Sequence, residues 1–317
     1  MSIANFFVVG SLQAQTNNMN NKTCVIIAGP TAVGKTAAAI EVARHFNTGI
    51  ISADSRQCFK EMDIGVAKPS PEELKQVHHY FISTHSIHST VNAAVFEQYA
   101  LQAIDEIFQQ HNVAVVTGGT GLYIKAFCEG LDDMPPLSPE IRTAIQEQYQ
   151  QHGLAWLQQQ VQEQDPSYYA TGEIQNPQRL MRALEVKQAT GQSIRSFQQQ
   201  KKVSRPFNII KLGLELPKPE LHARINTRVD GMMKQGLKEE AEKLYPFSQL
   251  NALQTVGYKE FFDYFGGEEG DPVEKIKVNT RHYAKRQMTW FRKDPEYQWF
   301  LPDAVDKIIA TVEKLTS

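Results

Sequence analysis

Cysteine is scarce in these 317 residues: Cys24, Cys58 and Cys128 are the whole supply, with no C-x-x-C spacing. That excludes a disulfide-built scaffold and paired-cysteine zinc sites, and it fits a reducing compartment, so a cytoplasmic protein is expected. No apolar run approaches the roughly 20 residues that cross a bilayer, and no membrane association is expected. The apolar residues 3–9 are not preceded by Lys or Arg, the cationic opening of a secretory leader, so export is not expected either. Residues 13–21 are rich in Asn and Gln, and residues 1–21 are expected to form an unstructured extension, with Met19 an alternative first residue. Internal repeats and heptads are absent.

Excess charge of one sign is missing too, with 33 Lys/Arg against 35 Asp/Glu and a formal net charge of −2. The balance conceals an asymmetry. Residues 173–293 hold 22 Lys/Arg and 14 Asp/Glu, so the rest of the chain is acidic. On charge alone, solvated helix faces and a surface for a polyanion account for this equally well.

What the chain does have is a phosphate-binding loop. Gly29-Pro30-Thr31-Ala32-Val33-Gly34-Lys35-Thr36 reads G-x-x-x-x-G-K-T. Successive backbone N–H groups and a helix N-terminus attract an anion there, Lys35 adds a point charge, and the Thr36 hydroxyl suits Mg²⁺. The setting agrees: Val25-Ile26-Ile27-Ala28 reads as a buried strand, and residues 37–44 are strong helix formers. Further strands are expected at residues 49–52 and 113–117, with a helix over 93–110 between them, which is the alternation of a parallel sheet. Near Leu131 the texture changes. Pro135, Pro136 and Pro139 break regular structure, Ser138 is placed as a helix N-cap, and a Gln-rich helical region runs to about Lys202. Residues 207–214 then read as a strand returning to the sheet, with mainly helical sequence afterwards. The expected fold is α/β: a P-loop NTPase-like core of residues 22–130 and 206–317, interrupted by a mostly helical insertion over 131–205.

A phosphate loop by itself leaves kinases, ATPases and GTPases open. Those enzymes usually end the third strand on a carboxylate for Mg²⁺, whereas here Val116 runs into Thr117-Gly118-Gly119-Thr120-Gly121. After the second strand comes Asp54-Ser55-Arg56-Gln57, at the sheet edge where ligands of open α/β sheets bind. Asp54 reads either as a general base or as the cap of a turn.

These motifs, together with Met62-Asp63-Ile64-Gly65-Val66-Ala67-Lys68-Pro69, Gly118-Gly119-Thr120-Gly121-Leu122-Tyr123, Asn176-Pro177-Gln178-Arg179-Leu180, residues 221–229, Val256-Gly257-Tyr258-Lys259-Glu260 and Lys285-Arg286-Gln287-Met288-Thr289-Trp290-Phe291, resemble the tRNA dimethylallyltransferases, also called tRNA isopentenyltransferases. The resemblance covers nearly everything from Lys22 to about Phe300. It implies transfer of a dimethylallyl group from dimethylallyl diphosphate to the N6 amine of the adenosine 3′ of the anticodon, in tRNAs reading codons that begin with U. It further implies that Gly29 through Thr36 (Gly29, Pro30, Thr31, Ala32, Val33, Gly34, Lys35 and Thr36) bind the diphosphate, with Mg²⁺ on Thr36, that Thr31 and Arg228 serve the diphosphate end, and that Asp54 receives the amine proton. For the tRNA anticodon stem-loop it implies contacts from Asp54, Ser55, Arg56, Gln57, Thr120 and Arg142, from Gln178, Arg179, Leu180, Met181 and Arg182, and from Gln254, Thr255, Val256, Gly257, Tyr258 and Lys259. A monomer is expected.

Departures and rivals bear on this reading. His78-His79 stands where the family element continues Leu-Ile-Asp, but here Tyr80-Phe81-Ile82-Ser83 follows. His78, His79, His85 and His88 lack a Cys or carboxylate set to complete a metal site, so solvated or capping roles are expected. Trp290, Phe291, Trp299 and Phe300 are expected in the core rather than as base-stacking platforms. The nearest rival, an adenylate isopentenyltransferase acting on a free nucleotide, does not account for the helical insertion; a small-molecule kinase does not account for the missing acid after Val116.

Overall fold

The computed structural model describes residues 21–135, 138–198 and 202–316. All of the expected N-terminal extension but Asn21 lies outside them, as do Pro136 and Leu137. The chain divides into two compact units, one holding the residues up to Glu129 and from Ser204 onward, the other Gly130–Val203.

The first unit begins with β1 (Thr23–Ala28), buried at every position, as a central strand covered on both faces must be. A loop leads into α1 (Lys35–His45), whose Ala38, Ala39, Val42 and Ala43 let the helix lie close to the sheet. Then follow β2 (Ile50–Ser52), α2 (Pro71–Gln76), β3 (His79–Tyr80), α3 (Ala93–Phe108), β4 (Val113–Gly118) and α4 (Gly121–Glu129). α2 is short but closed by a capping box: the Ser70 hydroxyl accepts from Glu73 N, and the Glu73 carboxylate accepts from Ser70 N.

The second unit comprises α5 (Pro139–Gln164), α6 (Pro166–Thr171) and α7 (Pro177–Thr190). Ile145, Leu157, Val161, Leu180 and Leu184 form a core of its own. α5 is broken at Gly153, whose φ of 72° only a residue without Cβ adopts at low cost. Ser138 stands at the N-cap position, but its hydroxyl bonds to the Glu140 carboxylate rather than to a backbone N–H.

The first unit resumes with β5 (Asn208–Leu214), α8 (Lys218–Gln235), α9 (Leu237–Leu244), α10 (Lys259–Phe265), α11 (Pro272–Phe291), β6 (Gln298–Phe300) and α12 (Val305–Thr316). Among the described residues six strands form one parallel sheet, in the order β3-β2-β4-β1-β5-β6. β1 sorts its side chains by the period of two: Cys24, Ile26 and Ala28 join the core beneath α3, while Val25 and Ile27 join the one beneath α1 and α12. Each of those isoleucines is fully buried, worth at most about 1.5–3 kcal/mol of hydrophobic stabilisation.

Two edge strands were not expected. β3 and β6 have two and three residues, too few for alternation to register against the flanking polar and aromatic sequence. The expected burial of the C-terminal aromatics needs correction at one position. Phe291 is buried, Trp299 and Phe300 are half-buried on β6, but Trp290 is 41% exposed, since it falls outside the face of α11 that buries Gln287 and Phe291.

The register positions the site. Ala28 of β1 pairs with Gly118 of β4, and Ser52 of β2 pairs with Thr117, so all three strands end at one edge. Among the described residues no helix is long and apolar enough to cross a membrane.

Candidate active site

The loop 29–34 leaves β1 at that edge. Gly29 has no room for a side chain, because a Cβ there would sit 2.7 Å from the Leu214 carbonyl oxygen of β5. Gly34 (φ 109°) is the N-cap of α1, and no side chain caps the helix, so its first N–H groups face the cavity as donors for an anion. Lys35 Nζ donates to Pro30 O at 2.8 Å, folded back over the loop. Burial brings its pKa down to about 8, with the nearby Arg228 charge pushing the same way and Asp54 opposing both.

Thr31 is held from two distant parts of the chain. Its Oγ1 accepts from Arg228 Nη1 of α8 at 3.0 Å, and its N–H donates to Gln287 Oε1 of α11 at 2.9 Å. Gln287 Nε2 donates in turn to Gly119 O at 2.9 Å, tying the phosphate loop to the end of β4. Arg228 is depressed below its ordinary pKa by desolvation, against the pull of Asp54 and Glu73.

Beyond β2, Asp54 fits both sequence readings. Its Oδ1 accepts from Arg56 N at 2.9 Å and Gln57 N at 3.3 Å, the geometry of a turn cap, and the residue also lines the cavities described below. Thr120 Oγ1 accepts from Ser55 N at 3.0 Å and donates to Ser55 Oγ. Desolvation lowers the Arg56 pKa while neighbouring Asp54 resists the change. Gln57 does not present a free amide. Its Nε2 donates to Val66 O and Ala67 O, and its Oε1 accepts from Ser52 Oγ, so the side chain is committed to holding a loop.

Two cavities meet here, both within the first unit. One is the more polar, lined by Thr31, Lys35, Thr36, Asp54, Arg228 and Gln287 among others. The second is the more apolar, with walls from Val66, Ile225, Val229, Met232, Val256 and Ile276 and with Arg56 and Thr280 among its polar lining. Thr31, Asp54, Val66, Ala67, Arg228 and Tyr283 line both.

The predicted polyanion contacts separate into two groups. In the second unit Gln178 and Arg179 are exposed and Arg182 is half-exposed, and all three line a cleft with Arg195, whose guanidinium lies over the Tyr168 ring at 5.4 Å. Arg142 meets the buried Glu185 through Nε–Oε1 at 3.1 Å and Nη2–Oε2 at 3.3 Å, and Arg182 Nη1 reaches the same carboxylate at 3.5 Å. Leu180 and Met181 are buried by the helix period that exposes their neighbours, so their side chains build the core instead of touching RNA. In the first unit Gln254 and Lys259 are exposed, while Thr255, Val256 and Gly257 line the apolar cavity. Tyr258 has no exposed surface, because its ring packs beneath Gly65; its side chain does not contact RNA either.

Sequence reasoning assigned no role to Tyr283 or Gln287, although the latter sits in a quoted motif. Only the fold shows that α11 carries both to the phosphate loop. The Tyr283 hydroxyl is raised to about 12, mainly by burial and then by the Asp54 charge. Of the four histidines, His79 bonds through Nδ1 to Val77 O at 2.8 Å and lines the polar cavity, His85 Nδ1 pairs with Thr84 Oγ1 at 2.8 Å, and His78 and His88 lie edge-on to Tyr80 and Phe247. Among the described residues no group of three His, Cys, Asp or Glu is placed to hold a metal.

Comparison with known proteins gives a consistent result. Residues 57–294 match the family model described as IPP transferase. The chain is 50% identical over 285 residues to a tRNA dimethylallyltransferase of Christiangramia forsetii, covering 89% of this chain and 94% of that protein. It is 43% identical over 297 residues to tRNA dimethylallyltransferase 1 of Bacteroides fragilis, covering 93% and 99%. The crystal structure of a full-length tRNA isopentenylpyrophosphate transferase from Bacillus halodurans superposes with a TM-score of 0.68 at 32% identity, over 93% of this chain and 97% of that one. A eukaryotic dimethylallyltransferase acting on tRNA superposes with a TM-score of 0.69 at 27% identity, over 85% and 69%.

Proposed function

This chain belongs to the IPP transferase family, and from that membership we propose how its two cavities share one reaction. The protein is a tRNA dimethylallyltransferase. Its donor is dimethylallyl diphosphate, and its acceptor is the N6 amine of the adenosine 3′ of the anticodon. The common wall of the two cavities carries the reading: Asp54, Thr31, Arg228 and Tyr283 stand where a diphosphate, a five-carbon group and an incoming amine have to meet.

The diphosphate takes the polar cavity and the hydrocarbon the apolar one. As the allylic C–O bond breaks, its electron pair goes to the diphosphate, and the loop N–H groups, Lys35, Arg228 and Thr31 face the growing charge. The adenine nitrogen forms the new C–N bond and loses its proton to Asp54, which keeps positive charge from accumulating on a weakly nucleophilic amine. The adenosine has to leave its stack to arrive there. Thr36 and Asp54 both line the polar cavity, and a hydroxyl and a carboxylate are oxygen donors of the kind that suit a hard cation shared with substrate phosphates. A Mg²⁺ ion held by Thr36 and the substrate phosphates would add to the neutralisation of the leaving group. The cytoplasm and a monomer complete the reading, the latter checked by sedimentation.

The test is labelled dimethylallyl diphosphate with Mg²⁺ and either unmodified tRNA or AMP. Label in tRNA alone is expected. Label in AMP shifts the assignment to a nucleotide acceptor, and label in neither removes it.

A further inference from the structure

Residues 63–67 belong to no helix or strand, yet they supply Gly65, Val66 and Ala67 to the apolar cavity. A wall without a ladder leaves N–H groups that something else must satisfy. One carboxylate takes them. Glu240 of α9 accepts through Oε2 from Asp63 N at 3.2 Å and Ile64 N at 2.9 Å, and through Oε1 from Gly65 N at 3.0 Å. The Tyr258 hydroxyl donates a fourth bond, at 2.6 Å, to Oε1. Bonds to an ionised acceptor are the strong kind, and four of them converge on one half-buried group.

Packing completes the clamp. The Tyr258 ring lies so close to Gly65 that a Cβ there would come within 2.5 Å of it. Gly257, with φ +101°, brings the 255–257 turn against Gly65, its own Cβ position 3.3 Å from Gly65 O. At the other end Gln57 holds the carbonyls of Val66 and Ala67. The two grips act on different parts of the wall: the Glu240 grip ends at Gly65, which lines only the apolar cavity, whereas Gln57 holds Val66 and Ala67, which line both.

We propose that Glu240 is a positioning residue for the donor: by holding the N–H groups of residues 63–65 it fixes the loop whose Gly65, Val66 and Ala67 wall the cavity in which the hydrocarbon part of dimethylallyl diphosphate packs. It touches no substrate and acts through the loop. The proposal rests on the division of the two cavities between hydrocarbon and diphosphate given above.

The experiment titrates wild type, Glu240→Gln and Tyr258→Phe with inorganic diphosphate and with dimethylallyl diphosphate, and adds steady-state kinetics. An amide at 240 keeps one acceptor oxygen but points an NH₂ at backbone donors. Glu240→Gln is expected to lose about tenfold in affinity for dimethylallyl diphosphate, while inorganic diphosphate binds within about twofold of wild type. The KM for the donor rises in step; kcat and the KM for tRNA hold. Tyr258→Phe, which removes one bond of four, shifts donor affinity in the same direction by about two- to threefold. Undiminished preference for the allylic diphosphate in a Glu240→Gln protein with wild-type Tm overturns the proposal, as does an equal loss for both ligands. Should Glu240→Gln fail to fold, unchanged preference in Tyr258→Phe overturns it alone. A wild type that binds both ligands equally tightly instead overturns the assignment of the cavities.

Discussion

The core unit and the inserted helical unit hold their cations in opposite ways. In the core, Lys35 and Arg228 stand in a cavity wall where burial depresses both pKa values, so each gains most when a phosphate arrives to neutralise it. In the inserted unit Arg142, Arg179 and Arg182 lie at or near the surface, two of them braced on the buried carboxylate of Glu185. Charges in a cavity respond strongly to charge that develops during a reaction. Exposed charges attract a polyanion over a longer range and are screened by salt. The first arrangement suits chemistry, the second capture.

The sharpest way to break that contrast is at Asp54. Asp54→Asn retains Oδ1 to accept from the Arg56 and Gln57 N–H groups but removes the base, so single-turnover transfer should fall by about 10²–10⁴-fold with little change in Tm. A near-wild-type rate would leave Asp54 only its capping role. Next, Arg228→Lys abolishes the bond to Thr31 and the planar fork, and should lower kcat by about 10²-fold while tRNA affinity, measured by filter binding, stays put.

Lys35 gives a pH signature of the buried class. Its pKa is lowered to about 8, and bound phosphate favours the ammonium form. Below pH 8 the charge is already in place; above it, binding has to take up a proton. Affinity for dimethylallyl diphosphate should therefore fall as pH rises through about 8, by at most about tenfold per pH unit, and titration calorimetry in buffers of different ionisation enthalpy should register proton uptake. Lys35→Met should bind weakly without that slope.

The smallest effects belong to the exposed class. Arg179→Gln and Arg182→Gln should each weaken tRNA binding a few-fold and reduce the salt slope of log Kd by about 0.7–0.9, with kcat at saturating tRNA unchanged. If either variant slowed single-turnover transfer as Arg228→Lys does, the two units would not differ in the way their burial indicates.

The parallel sheet was legible because β1, β4 and β5 are long apolar runs and α1 and α3 carry clear helix patterns. β3 and β6 were not, since strands of two or three residues leave no period to read. Within motifs, proximity in sequence misled where burial alternates: Leu180, Met181 and Tyr258 share short stretches with exposed residues but face inward. The resemblance implied a tRNA contact for Gln57, and no local signal in the sequence showed that its amide N–H groups are spent on the 66–67 carbonyls.

By itself the sequence determined the phosphate loop and the carboxylate after β2. Both are short contiguous devices, whose donors and acceptors lie within a few residues and whose chemistry follows from residue type. It also marked, through the resemblance, which remote side chains to examine. Only the tertiary structure decided that Arg228 and Gln287, 197 and 256 residues from Thr31, close on the same residue, that Tyr283 stands in the wall between two cavities, and that Glu240 carries a loop 175 to 177 residues away. Such contacts depend on how helices pack against the sheet, and no local period or spacing encodes which face of α8, α9 or α11 meets which loop.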